Sequence, residues 1–131
     1  AETGHMVFST LHTPDSVQTI DRIIDVFPPH HQEQVRIQLA NTIAAILAQQ
    51  LLPMPGNEGR IAGAEILIAN SAVRKVIRSG KTEQLMTIIQ TSYEQGMISM
   101  DKSLKSLYLQ GLITFDEAIS RCKFPDSFEQ I

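Results

Sequence analysis

Two of the four histidines in this 131-residue chain lie in one run near its start, Glu2-Thr3-Gly4-His5-Met6-Val7-Phe8-Ser9-Thr10-Leu11-His12-Thr13. An imidazole can ligate a metal or donate one hydrogen bond to a phosphate oxygen while its other nitrogen is held by a neighbour. Spacing decides against a shared metal. Seven residues of extended chain put His5 and His12 about 23 Å apart and on opposite faces of a strand, so one ion cannot reach both. His12 falls at the end of the run, where an α/β sheet presents ligand-binding groups, and Thr10 and Thr13 add hydroxyls beside it. The alternative for His12 is a strand-end histidine bonded to backbone; His5, at the other end, reads as structural.

Other residues that could do chemistry are scattered. His30 and His31 open a helix, where free N–H groups favour an anion over a second positive charge. Arg74, Lys75, Arg78 and Lys81 form a basic run, with Arg74 and Arg78 one helical turn apart on one face. A solvated helix face is the alternative there. Ala72, Val73, Val76 and Ile77 are expected to bury the opposite side and so hold the charged edge rigidly. The sequence has no phosphate-cradling G-x-x-x-x-G-K-[ST] loop and no serine or cysteine in a nucleophile motif beside a histidine. Cys122 is the sole cysteine, so neither an internal disulfide nor a cysteine zinc site is available. No metal site is predicted.

These residues need elements to position them. Met6 to Leu11 is almost continuously apolar or small, the signature of a parallel strand covered on both faces. Such a strand needs sheet neighbours that the following residues scarcely supply, so the chain reads as a piece of a larger fold. Val17, Ile20, Ile23, Ile24 and Phe27 fall at helical spacing, with Thr13 or Asp15 as N-cap, Pro14 tolerable in the first turn and Pro28-Pro29 as the stop. A second helix is expected from His30 to Ala48, buried toward its C-terminal half, on a stripe of Val35, Leu39, Ile43, Ile46 and Leu47 widened by Ile37, Ala40 and Ala44. Leu51 to Met54 and Arg60 to Ala69 read as a hairpin around Pro55-Gly56-Asn57-Glu58-Gly59. Short helices then follow near Ser71 to Ser79, Thr82 to Thr91 and Asp101 to Gln110. Gly111 closes the last of these, and Thr114-Phe115-Asp116-Glu117 has capping-box spacing for one more, continued inward by Ala118, Ile119 and Cys122.

The expected fold is α/β: residues 1–69 as the end of a sheet domain and residues 70–131 as a small all-helical subdomain. A hydrophobic content of 43% supports a core. A formal charge of −3 argues against a broad nucleic-acid surface. The longest apolar run, Ile43 to Leu52, is broken by Gln49 and Gln50 and is too short to span a bilayer. No secretion signal is read at the start of the chain. The lone cysteine suits a reducing, cytoplasmic setting.

The opening run closely resembles the histidine box of the secretion and type IV pilus ATPases. Ile20-Asp21-Arg22-Ile23-Ile24-Asp25-Val26-Phe27-Pro28-Pro29, Gln32 to Arg36, Gln49-Gln50-Leu51-Leu52-Pro53, Glu65-Ile66-Leu67-Ile68, Gly96-Met97 and Gly111-Leu112-Ile113-Thr114 extend the likeness toward the twitching-motility retraction branch, over essentially the whole chain. Gly4-His5-Met6 also looks like a cloning scar, but the residues on both sides complete the box. A family helical motif associated with retraction is matched by Ala72-Val73-Arg74-Lys75-Val76-Ile77-Arg78-Ser79, with both arginines kept while Lys75 and Ser79 replace an asparagine and a glutamate. Pro14 departs from the usual asparagine. The family's assembly and secretion members often carry a four-cysteine zinc site, which Cys122 alone cannot form.

The resemblance implies the C-terminal half of a RecA-like P-loop ATPase domain followed by a helical subdomain, in a homohexameric cytoplasmic motor that hydrolyses ATP with Mg2+ to drive pilus retraction. It implies that the main ATP- and magnesium-binding residues lie upstream of Ala1, so that this chain alone is inactive. It implies a nucleotide-sensing box of His5, Thr10, His12 and Thr13, with His12 sensing the γ-phosphate, and a peripheral association with an inner-membrane pilus platform protein. Alternatives are an accessory or assembly ATPase of pili or type II secretion, a non-catalytic helical interaction module, and a sheet-and-helix binding domain that never meets ATP.

Overall fold

The structure is a computed structural model describing residues 1–57 and 59–129. Glu58, part of the expected hairpin turn, lies outside the described residues. The first regular element is helix α1, Ser16–Asp25. Asp15, not Thr13, is its N-cap: backbone at φ −149° and ψ 170° lets the carboxylate accept from Gln18 N at 2.8 Å. Pro14 therefore precedes the helix instead of entering its first turn. Ile20 and Ile24 are buried, whereas Phe27, expected in the same stripe, is largely exposed beyond the helix end. The residue before a proline avoids helical backbone and Pro suits the first helical position, so α1 stops ahead of Pro28 and α2 begins at Pro29.

Helix α2 spans Pro29–Thr42, six residues short of the expected Ala48. Ile43 turns extended, and Ala45–Pro53 becomes strand β1, paired antiparallel with β2, Arg60–Ile68, from Ala45↔Ile68 to Pro53↔Arg60. The Ala-Ile-Leu run at 43–48 satisfies a helical stripe and a strand equally, and pairing with Ile66 to Ile68 wins because it gives the backbone partners and buries Ile46 and Ala48. The hairpin is thus confirmed, with its first strand starting earlier than expected. The apolar opening run joins neither strand, and no strand is formed at residues 1–15. A parallel strand needs neighbours, and β1 and β2 are occupied with each other.

Beyond the hairpin come α3 (Ser71–Ser79), a 3-10 turn at Thr82–Gln84 leading into α4 (Leu85–Thr91), α5 (Met100–Leu109), α6 (Phe115–Arg121) and α7 (Pro125–Glu129). Their caps follow from the residue types. Asn70 accepts from Val73 N and Ser99 from Lys102 N, while Gly80 closes α3 at φ 73°, a left-handed position that favours glycine. At α6 half of the capping box forms: Thr114 Oγ1 accepts from Glu117 N at 3.2 Å, while the Glu117 carboxylate pairs with Arg121 at 3.2 Å.

The hairpin's inner face divides the buried side chains. Ile46 and Leu67 pack with Ile20, Ile24, Val73, Ile77, Leu85 and Ile89, so the helices on both sides of the hairpin in sequence share one core. Leu52 packs with Met100, Leu104, Ile113, Ala118 and Phe128 in a second. Gly63 makes this second contact possible. A Cβ there would sit 3.2 Å from Leu52 Cδ1 and 3.4 Å from Met100 Sδ.

Candidate functional site

The opening segment is the most exposed apolar stretch among the described residues: Met6 is 78%, Val7 60% and Phe8 91% accessible. Gly4, at φ 85°, donates to Ala1 O and turns the chain so that Thr3 Oγ1 lies 2.9 Å from His5 Nδ1. His5 is thereby engaged locally. Thr10 and His12 are exposed, so the imidazole of His12 is open to solvent and to a ligand held by other residues. Thr13 is committed. Its hydroxyl lies 2.6 Å from Thr19 Oγ1, and Thr19 Oγ1 donates to Asp15 O at 2.7 Å. Each hydroxyl has one proton, so Thr13 donates to Thr19 and keeps only acceptor capacity. This bond makes Thr13 the joint between the box and α1.

Directly behind that joint is a buried acidic group that the spacing arguments missed. Glu65, on β2 and 1% exposed, accepts from Ser16 N at 2.8 Å through Oε1 and from Met100 N at 3.4 Å through Oε2. These are the first residues of α1 and α5, where unpaired N–H groups and the helix dipole favour an anion. The placement of β2 is fixed by Ile66 exchanging backbone hydrogen bonds with Ile98 at 2.8 and 3.1 Å, and by Ala64 N donating to Ser103 Oγ. Nearby, Asp15 Oδ2 pairs with Lys123 Nζ at 3.4 Å, and Asp101 accepts from the Lys123 and Phe124 amides at 2.8 and 3.0 Å. A cleft of about 260 Å3 runs along this junction, lined among others by Asp15, Gln50, Glu65, Asp101 and Lys123.

The basic run on α3 faces α2. Arg74 is half-buried and its Nη1 donates to Ala40 O, whereas Arg78 is exposed and its Nη1 donates to Asn41 Oδ1 at 3.0 Å. Both contacts lie at the C-terminal end of α2, whose last carbonyls lack helical partners and attract cations. The two arginines therefore differ: Arg74 is a capping group, and Arg78 presents its charge at the surface. Lys75 is exposed. Val73, Val76 and Ile77 bury the other face as expected, but Ala72 is exposed in the first turn. No hydrogen bond joins these arginines to the histidine segment. The two regions share α1, whose Asp21 accepts from Thr82 Oγ1 at 2.8 Å just after α3.

Comparison with known proteins decides the relationship. A family model described as type II/IV secretion system protein matches residues 1–57. The chain is 47% identical to a twitching motility protein of Neisseria gonorrhoeae over 127 residues, and 41% identical to the type IV pilus retractation ATPase PilT of Pseudomonas aeruginosa over 128 residues. Those alignments cover 97% and 98% of it but only 34% and 37% of the relatives, so it spans about a third of their length. A crystal structure of the pilus retraction motor PilT with bound ADP superposes with a TM-score of 0.86 at 43% identity, covering 100% of this chain and 36% of that one. The α/β fold read from the sequence is the corresponding part of that structure.

The chain does not by itself fit a nucleotide or magnesium. Its sequence has no phosphate loop, and among the described residues no three His, Cys, Asp or Glu side chains cluster as metal ligands. What it can contribute is an exposed imidazole at His12. No helix among the described residues is long and apolar enough to cross a membrane. Cys122 is half-buried and donates to Ile119 O; burial, and secondarily the Asp101 carboxylate, pushes its thiol above the ordinary range. It stays protonated at neutral pH and is a poor nucleophile.

Proposed function

We propose that this chain is the part of an ATP-hydrolysing pilus-retraction motor that reads nucleotide state and passes it to a helical output face. Residues 1–69 serve as the end of the ATPase core and residues 70–131 as the output part. The exposure of the His12 imidazole, immediately before the Thr13 joint to α1, carries the reading. His12 donates a hydrogen bond to the terminal phosphate of an ATP held by residues of the longer protein, with Thr10 beside it and His5 orienting the turn. Mg2+ and ATP are bound by those other residues. Loss of the phosphate contact biases α1 between two positions by differential interaction. Because α1 shares one core with α3 and α4 and holds Thr82, just after α3, through Asp21, its displacement moves the helix bearing Ala72, Val73, Arg74, Val76, Ile77 and Arg78. Arg78, with Lys75, is the surface charge available to dock a partner, and Arg74 holds the helix in place.

The likeness to the retraction ATPase and to the ADP-bound motor supports ATP as the nucleotide and retraction of a type IV pilus as the output. The motor works as a homohexamer on the cytoplasmic side of the inner membrane, peripheral to it, against the pilus platform protein. The test compares the pure chain with the full-length gene product that carries it. The chain alone hydrolyses no ATP and the full-length protein shows magnesium-dependent hydrolysis; turnover by the chain alone, or none by the full-length protein, contradicts the assignment.

A further inference from the structure

Glu65 has no role in phosphate contact or docking, yet it is the most deeply buried carboxylate in the described chain, and neither ion pair among the described residues includes it. Its two oxygens are shared between the first amides of two helices from different parts of the sequence, Ser16 of α1 and Met100 of α5. The side-chain N-caps observed elsewhere each serve their own helix: Asp15 for α1, Asn70 for α3, Ser99 for α5 and Thr114 for α6. We propose that Glu65 is a positioning residue, a rigid pin that carries displacement of α1 directly to the start of α5. The proposal rests on the function proposed above and adds a second output to it, independent of the α3 arginines.

The chemistry suits a pin. A carboxylate anion at two dipole ends is held by both, and breaking either bond leaves a buried charge with half its partners, so the two helix ends move together or not at all. The strand under it cannot give way, because Ile66 is bonded to Ile98 and Ala64 to Ser103 on either side. The parallel link from Asp15 through Lys123 to Asp101 depends on a lysine side chain that is 49% exposed and is correspondingly weak. From α5 the displacement reaches the second core, where Met100 and Leu104 pack against Leu52 and Ile113.

Hydrogen exchange of the full-length gene product, with and without magnesium and ATP, tests this in peptides covering residues 14–20 and 98–104. In the parent, nucleotide changes exchange in both peptides. Glu65→Gln keeps the size but offers one carbonyl oxygen, with an NH2 facing the other amide. In that variant the nucleotide response persists at 14–20 and falls about tenfold at 98–104. A merely structural glutamate would raise exchange at both sites alike and leave the nucleotide response shared, which overturns the proposal. A parent that responds at 14–20 but not at 98–104 also overturns it and leaves the motor function standing. A parent that responds at neither overturns both. If circular dichroism shows Glu65→Gln unfolded, Glu65→Asp decides: it keeps the charge but is too short to span both amides, and a full parental response at 98–104 refutes the pin.

Discussion

Replacing Arg74 by alanine removes a charged donor from Ala40 O at the end of α2, a residue that is completely buried. A hydrogen bond to a charged group contributes about 1.5–3 kcal/mol, and a cation at a helix C-terminus about 0.3–1 kcal/mol more at surface exposure. Because Arg74 is half-buried, part of this is offset by hydration of the freed side chain in the unfolded chain, and about 2 kcal/mol is a fair net loss. Unfolding entropy of about 2.1 cal/mol/K per residue over 131 residues converts that to a fall in Tm of about 7 °C. Arg78→Ala loses only an exposed contact to the Asn41 side chain. Its cost is about 0.5 kcal/mol, or about 2 °C. Paired thermal melts of the two variants at one pH and ionic strength check the difference. Equal shifts, or an Arg74→Ala protein melting within about 1 °C of the parent, would refute the division of the motif into a capping and a docking arginine. In the full-length protein Arg78→Ala is then expected to impair retraction while leaving hydrolysis and stability nearly intact.

Other expectations follow from the same contacts. Asn70→Ala removes the α3 cap at Val73 N and the bond to Gln95 Oε1, and should cost about 1 kcal/mol in urea unfolding without changing the m-value. Cys122, with its thiol raised, should react with iodoacetamide at pH 8 several-fold more slowly than free cysteine. The sign for stability is that the folded thiol holds its proton more tightly than the unfolded one. Its contribution is full below the unfolded thiol's range and is lost as pH rises through the folded value, so Cys122→Ser should flatten stability in the alkaline limb. Phe8→Ser should raise the monomeric fraction of the isolated chain by light scattering, because Phe8 is the most exposed large apolar side chain among the described residues.

Local chemistry was legible wherever a side chain satisfies its own backbone. Helix α3 spans Ser71–Ser79 as read from the sequence, Thr114 caps α6, and Gly111 follows α5 with φ 72° and donates to Tyr108 O. Ambiguity lay where the pattern has no single period. Residues 43–48 are apolar throughout, and only the partner strand at Ile66 to Ile68 decides that they are extended. The opening run shows the converse: strand composition without strand partners leaves Met6, Val7 and Phe8 exposed.

The candidate site was half legible. His12 was singled out as a candidate from its place after an apolar run, and the structure shows it exposed. Glu65 was not, although the strand's alternation carries it: Gly63, Glu65 and Leu67 share the buried face, so the only acidic residue of β2 points inward. What needed three dimensions was its destination, since the two amides it holds lie 49 and 35 residues away in sequence. The unlike partners of Arg74 and Arg78, which spacing alone makes equivalent, also required the end of α2.

The account turns on His12, and steady-state ATP hydrolysis by the full-length protein bearing His12→Ala tests it most directly. Because the ring is exposed, the variant should melt as the parent does while kcat falls about a hundredfold, the usual cost of removing one preorganised donor from a reacting phosphate. Parental kcat in a folded His12→Ala protein would contradict the claim that this imidazole reads the nucleotide.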